Sequence, residues 1–225
     1  MTKMKVFAFF LFAALSFSSF SQNHETMVWT ELGVRGNLIK KSDWAMELNT
    51  RFNEEGVATF FPQLGINYKI TKWLKPSIDY RFLVDKNKYG NYKPSHRVNV
   101  NLNFKSKVAR RFYMGARVRY QYGFEQFGAP VSYNDDFDQA IRLKPSFSYD
   151  ISNSVFTPTF SAEWFYNPEL GENGRQFTKI RIAIGSKLEL EGPHSVSFKY
   201  QLDKRFNNFA SGVRHVASFS YEYKL

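Results

Sequence analysis

The feature that most limits this chain is a two-residue alternation that keeps one phase free of charge. Residues 98–105 read Val-Asn-Val-Asn-Leu-Asn-Phe-Lys. One phase holds Val98, Val100, Leu102 and Phe104; the other holds Asn99, Asn101, Asn103 and Lys105. Residues 112–122 repeat the pattern, with apolar and aromatic side chains on one phase and Arg117, Arg119 and Gln121 on the other. A period of two marks a strand whose faces meet different surroundings. Eleven such segments are predicted: 26–38, 43–53, 57–70, 73–84, 94–105, 112–125, 137–149, 155–166, 177–190, 195–206 and 213–225. Across them the apolar phase carries one charge, Lys204, although 23% of the chain is charged. A soluble sheet tolerates charges at the ends of its apolar face. Hydrocarbon does not, because a charge at a bilayer midplane costs a strand roughly 2–4 kcal/mol.

The alternation therefore predicts an all-β fold, a transmembrane antiparallel up-and-down β-barrel. The connections agree. Links at 39–42, 71–72, 106–111, 150–154 and 191–194 are short, whereas those at 85–93, 126–136, 167–176 and 207–212 are longer and more polar. Short turns at one rim and long loops at the other describe an outer-membrane barrel. Trp44, Trp73, Trp164, Tyr221 and Tyr223 sit near segment ends, where interfacial girdles form. Such barrels are normally even-numbered, so about 12 strands are expected from these segments, with 10 the next best count. Pro62, Pro76, Pro94, Pro145 and Pro158 fall within segments and predict bulges or frayed rims, because proline cannot donate to a ladder.

The first segment differs from the rest. Residues 1–21 carry Lys3 and Lys5, an apolar run over 6–17, and the small residues Ser19 and Ser21. This is the pattern of a secretory signal peptide, cleaved before Gln22, which leaves residues 22–225 as the barrel. The bacterial outer membrane of a Gram-negative cell is the expected location. No second stretch is long and apolar enough for a membrane helix. The absence of cysteine excludes a disulfide scaffold, a thiolate metal site, a cysteine nucleophile and a lipoprotein anchor.

Several short motifs follow one another along the body: Asn49-Thr50-Arg51-Phe52, Gly65-Ile66-Asn67-Tyr68, His96-Arg97-Val98, Arg117-Val118-Arg119, Arg142-Leu143 and Glu163-Trp164-Phe165-Tyr166-Asn167. With Trp29 before them and Arg181 leading to Gly185 after them, their order and spacing resemble the Bacteroidetes outer-membrane proteins grouped as the domain of unknown function 2490 family. The resemblance covers most of residues 26–225 and implies an outer-membrane barrel with no known activity. Where that family has a carboxylate shortly before the fifth-strand arginine, this chain has His96.

The polar phase must face the lumen, and it is strongly basic, as is the whole chain with its formal charge of +11. Arg97, Arg117, Arg119, Arg142, Lys144, Lys179 and Arg181 are the candidates for a basic lumen belt, because adjacent strands bring them near one another. Glu47, Asp79, Glu163 and Asp203 are the candidate acidic partners. Two readings follow. Rings of Arg and Lys favour a narrow anion-preferring channel for a small anionic solute. Alternatively, the side chains fill the interior and seal a barrel with a structural or interaction role.

A lipid hydrolase is a third reading. It needs a histidine–serine arrangement. His96 and His215 fall in the lipid-facing phase, but the positions two residues on are Val98 and Ala217. His24 is assigned to an N-terminal tail and His194 to a solvated turn. The protein is therefore expected to be non-enzymatic, with no cofactor and no metal. The run Asn134-Asp135-Asp136-Phe137-Asp138 is read as an acidic surface loop rather than a Ca²⁺ site. The expected partners are outer-membrane lipid, lipopolysaccharide and the barrel-insertion machinery, the last through the terminal run Phe219, Tyr221, Tyr223 and Leu225. Nucleic acid is not expected, because export removes the chain from it.

Overall fold

The structure is a computed structural model that describes residues 24–87, 89–126, 129–130, 139–170, 174–206 and 212–225. The leader predicted over 1–21 and the acidic run over 134–138 lie outside the described residues. The strands are β1 (His24–Ile39), β2 (Ser42–Asn53), β3 (Gly56–Tyr68), β4 (Leu74–Lys86), β5 (Tyr92–Ala109) and β6 (Phe112–Gln126). They continue with β7 (Ala129–Pro130), β8 (Gln139–Tyr149), β9 (Phe156–Asn167), β10 (Gln176–Glu189), β11 (His194–Arg205) and β12 (Val213–Lys224). Among the described residues there is no helix.

All twelve strands belong to one sheet. Consecutive long strands pair antiparallel, β5 pairs with β6, and β1 pairs with β12, so the sheet closes on itself. The expected count of about twelve is met, but evenness is not. β7 has two residues and only folds back on the end of β6. Eleven strands make the wall, and an odd number cannot close antiparallel. The seam is parallel instead, in register from His24 opposite Val213 to Arg35 opposite Lys224. β1 therefore starts at the rim of the long loops, while β12 ends at the rim of the short turns. His24, assigned to a tail from sequence, is the first residue of β1.

The prolines do not behave as predicted. Register shifts fall at Asn37/Ile39, Arg51/Phe52, Lys107/Ala109, Phe124/Gln126 and Phe177/Lys179, none of them at one of these five prolines. The five prolines expected to disturb strands all lie on the outward phase. Pro62 and Pro145 each sit at a short gap in one ladder: β3–β4 resumes from Phe60 to Gln63, and β8–β9 from Leu143 to Ser146. A missing donor there costs one or two ladder bonds and leaves the register intact.

The outer wall is apolar and the inside polar, the reverse of a water-soluble sandwich. Leu32, Leu64, Ile78, Val100 and Ile184 are exposed outside, while Asn99, Gln121, Glu163 and Asp203 are buried inside. An apolar outer band around a polar interior is the arrangement a bilayer imposes on a barrel. At the start of β3, directly after the two-residue link from β2, Gly56 adopts φ 103°, a conformation that side-chain-bearing residues rarely take.

Pairing strands lie about 4.8 Å apart, within the reach of a disulfide. Thr30 faces Phe219 across the seam. Because the chain has no cysteine, the double variant Thr30→Cys/Phe219→Cys gives a clean test. The folded barrel should form that disulfide under mild oxidation. Maleimide labelling of both thiols in the oxidised, folded protein would rule out the parallel seam.

Candidate functional site in the barrel lumen

Alternation decides which side chains enter the lumen, and register decides which of them meet. The inward residues of β5 include Arg97, Asn99 and Asn101; those of β6 include Arg117, Arg119 and Gln121; those of β8 include Arg142 and Lys144. Register sets Arg81 opposite Arg97, Arg119 opposite Arg142, and Arg117 opposite Lys144. Like charges directly opposite on one face are destabilising.

Carboxylates from neighbouring strands offset part of this. Glu163 Oε1 accepts from Arg117 Nη2 at 2.8 Å and from Arg142 Nε at 3.1 Å, so one carboxylate holds two guanidinium groups. Asp203 takes both Nε and Nη2 of Arg181 at 2.6 Å, a bidentate pair. Asp79 Oδ2 accepts from Arg119 Nη2 at 3.1 Å and from Asn101 Nδ2 at 2.9 Å. Glu163 is 1% exposed and Asp203 0%. Charges buried to that degree are tolerated only when paired.

Glu47 departs from the expectation of an arginine partner. Its directly opposite neighbour is Gln63, whose Nε2 donates to Glu47 Oε2 at 2.8 Å. Arg81 Nε in turn donates to Gln63 Oε1, so an amide stands between the carboxylate and the guanidinium.

Aromatic rings hold other cations. The Arg51 guanidinium lies 4.3 Å from the Trp29 ring centre, with Arg181 at 4.8 Å from the same ring. Arg81 lies 5.0 Å from Phe61, and Arg142 and Lys179 each lie 4.3 Å from Phe165. Such cation–π contacts grow stronger where water is excluded.

These groups surround a cavity of about 170 Å³. All seven cations named from sequence line it: Arg97, Arg117, Arg119, Arg142, Lys144, Lys179 and Arg181. Of the four acids, Glu163 lines it; Asp79 and Asp203 stand behind lining arginines, and Glu47 is reached through Gln63. Arg51, Arg81, Lys199 and Arg214 also line the cavity without having been chosen for the belt. Trp29, Phe61 and Phe165 also line the cavity and were not named as lumen residues from sequence. Their phase was the available signal: Trp29 shares it with Glu31, Phe61 with Gln63, and Phe165 with Glu163.

The outward histidines have a different chemistry. His96 Nδ1 lies 2.7 Å from the Tyr80 hydroxyl, and His215 Nδ1 lies 2.6 Å from that of Tyr200. His194, assigned to a turn, begins β11, with Nδ1 2.7 Å from the Tyr221 hydroxyl. Each of these imidazoles, on the outer wall, has a phenol as its hydroxyl partner. Among the described residues there is no cluster of three or more His, Asp or Glu able to hold a metal ion.

Removing the shared carboxylate should be costly. Glu163→Gln leaves Arg117 and Arg142 without their common anion, and breaking a buried pair costs about 3–5 kcal/mol. Removing the exposed pair partner in Lys187→Met should cost no more than about 1 kcal/mol. Urea unfolding of the heat-modifiable form measures both, and equal costs would contradict the pairing described here.

The sequence was compared with families, curated proteins and solved structures. Residues 26–214 match the family described as "Protein of unknown function (DUF2490)". No curated protein matches the chain. A solved structure described as "NanC porin structure in rhombohedral crystal form" aligns with a TM-score of 0.50 at 17% identity, covering 86% of this chain and 91% of that one. At that identity the likeness is one of fold: a porin-like β-barrel. The chain belongs to the DUF2490 family.

Proposed function

We propose that this member of the DUF2490 family is exported by its leader to a Gram-negative outer membrane and serves there as a narrow, non-catalytic, anion-preferring channel. The observation that carries this reading is the set of directly opposed like charges around the lumen cavity: Arg81 with Arg97, Arg119 with Arg142, and Arg117 with Lys144. A sealed core is better served by cations that face carboxylates, because like charges directly opposite are destabilising. A path for anions uses facing cations, because a ring of fixed cations lowers the barrier for a passing carboxylate, sulfate or phosphate. The apolar outer wall meets lipid and lipopolysaccharide. The terminal strand, aromatic on alternate residues from Phe219 to Tyr223, is the signal to the insertion machinery.

One observation favours a second reading, a sealed barrel with a structural role. Glu163, Asp79 and Asp203 already occupy several of the belt's guanidinium groups, and the space left among them is small.

Planar-bilayer conductance of the refolded protein under a KCl gradient separates the two. The channel gives discrete steps and an anion-selective reversal potential. A folded barrel that passes no current would establish the sealed reading. The sharpest variant is Lys144→Gln/Lys199→Gln. Both residues line the cavity, and neither makes a contact ion pair among the described residues; their charges act on Glu163 and Glu31 only through space, so the variant breaks no contact pair. Its anion preference should fall; unchanged selectivity would overturn the role given to the belt. Arg117→Gln/Arg119→Gln should lower it too, but at a cost in stability, because Asp79 loses its partner.

A further inference from the structure

The lumen has a second compartment. Towards the short-turn rim lies a cavity of about 310 Å³, and Lys144 and Lys199 line both it and the arginine cavity. The two spaces therefore lie in series, joined at two lysines. Their walls differ. The first is guanidinium and aromatic. The second is more apolar, with Phe104, Met114, Phe147 and Phe160 among its lining, and it carries four hydroxyl residues, Ser146, Ser148, Thr159 and Ser161, on adjacent strands β8 and β9.

The four hydroxyls form a square. Ser146 faces Ser161 and Ser148 faces Thr159 across the β8–β9 ladder. Facing hydroxyls on a sheet commonly bond one another. Ser197 and Ser220 do so here, at 2.5 Å. None of these four makes a side-chain hydrogen bond among the described residues. Small neighbours flank them: Ala183 lies beside Ser161, Gly185 beside Thr159, and Gly115 beside Ser146, where a Cβ would come within 2.9 Å of the Ser146 hydroxyl. The result is a patch of uncommitted donor–acceptor groups within a basic chamber.

We propose that the two compartments together form a binding site for a hydroxylated oxyanion, a carboxylated or phosphorylated polyol. Its anionic group is held by the arginine chamber and its hydroxyls by the Ser146–Ser148–Thr159–Ser161 square. This deepens the channel reading and rests on it for the direction of travel. Guanidinium edges match carboxylate and phosphate alike. A Ser or Thr hydroxyl both donates and accepts, which suits the hydroxyls of a polyol. A plain aliphatic anion would satisfy the arginines and leave the square idle. Since the long-loop rim faces outward in barrels of this kind, an arriving solute meets the arginines first and the hydroxyls second.

Isothermal titration of the refolded, detergent-held barrel tests this without requiring current. The probes are glucuronate, glucose 6-phosphate, glucose and cyclohexanecarboxylate, the last a carboxylate on a six-membered ring without hydroxyls. At least one of the first two should bind about tenfold or more tightly than cyclohexanecarboxylate and glucose, the worth of one or two net hydrogen bonds. Whichever of the two binds better identifies the anionic group. Ser146→Ala/Ser161→Ala should abolish that preference and leave cyclohexanecarboxylate unchanged. Ser148→Ala/Thr159→Val is the second variant, and the heat-modifiable gel shift confirms folding of each. Equal binding of glucuronate, glucose 6-phosphate and cyclohexanecarboxylate, a preference that survives both double variants, or no binding of any probe would overturn the proposal. A barrel that binds these solutes but conducts nothing would overturn the channel alone. One that conducts anions without distinguishing them would overturn this site alone.

Discussion

A sheet surrounded by hydrocarbon has to satisfy every backbone donor and acceptor within its own wall, and it has to keep charge off its outer face. The first demand closes the sheet. The second sends nearly every charged side chain of the wall to the same place, Lys204 being an outward exception in β11. A soluble protein spreads its cations over a surface where water screens them. Here the inward phases of eleven strands deliver them to one narrow lumen, and register sets several face to face. The crowding of Arg81, Arg97, Arg117, Arg119, Arg142 and Lys144 is thus a consequence of the wall before it is a feature of any site.

The barrel limits the cost of that crowding with three devices. Carboxylates on neighbouring strands take some guanidinium groups, Glu163 two at once. Aromatic faces hold others: Trp29, Phe61 and Phe165 each carry cations on their rings. Amides serve others: Gln63 stands between Glu47 and Arg81, and Gln121 Oε1 accepts from Arg142 Nη1 at 3.1 Å. A guanidinium stacked on a ring keeps its N–H edges free in its own plane. Together the devices fix the cations in position: the rings hold guanidinium faces, while Asp203 and Glu163 take the N–H edges of Arg181, Arg117 and Arg142.

The sequence made the alternation legible, and with it the strands, their inward residues and the seven-cation belt, because a period of two is local and survives any arrangement of the strands. Three things were not legible. The inward rings escaped notice because an aromatic residue satisfies either face, and Phe165 beside Trp164 can be placed only by counting from Glu163. The proline effect was overestimated, since Pro62 and Pro145 fall where one ladder can lose a bond without slipping register. The parallel seam was invisible in principle. Nothing local to β1 or β12 states the direction of its neighbour, and the count of eleven segments, correct as read, pointed towards an even number only by analogy with other barrels. The hydroxyl square was likewise out of reach, since it depends on which rungs of β8 and β9 coincide.

The parallel seam also removes a freedom that even-numbered meanders enjoy. In those barrels the two chain ends emerge at one rim, where a short loop can join them and new ends can be cut elsewhere. Here β1 begins at one rim and Leu225 lies at the other, hydrogen-bonded to the carbonyl of Arg35. The gap between them is the full length of a strand, about 40 Å along twelve residues. Any circular permutant would need a linker that runs the whole length of the barrel, over lipid or through the lumen. The order in which this chain meets itself is therefore built into its topology and cannot be rewired by a turn.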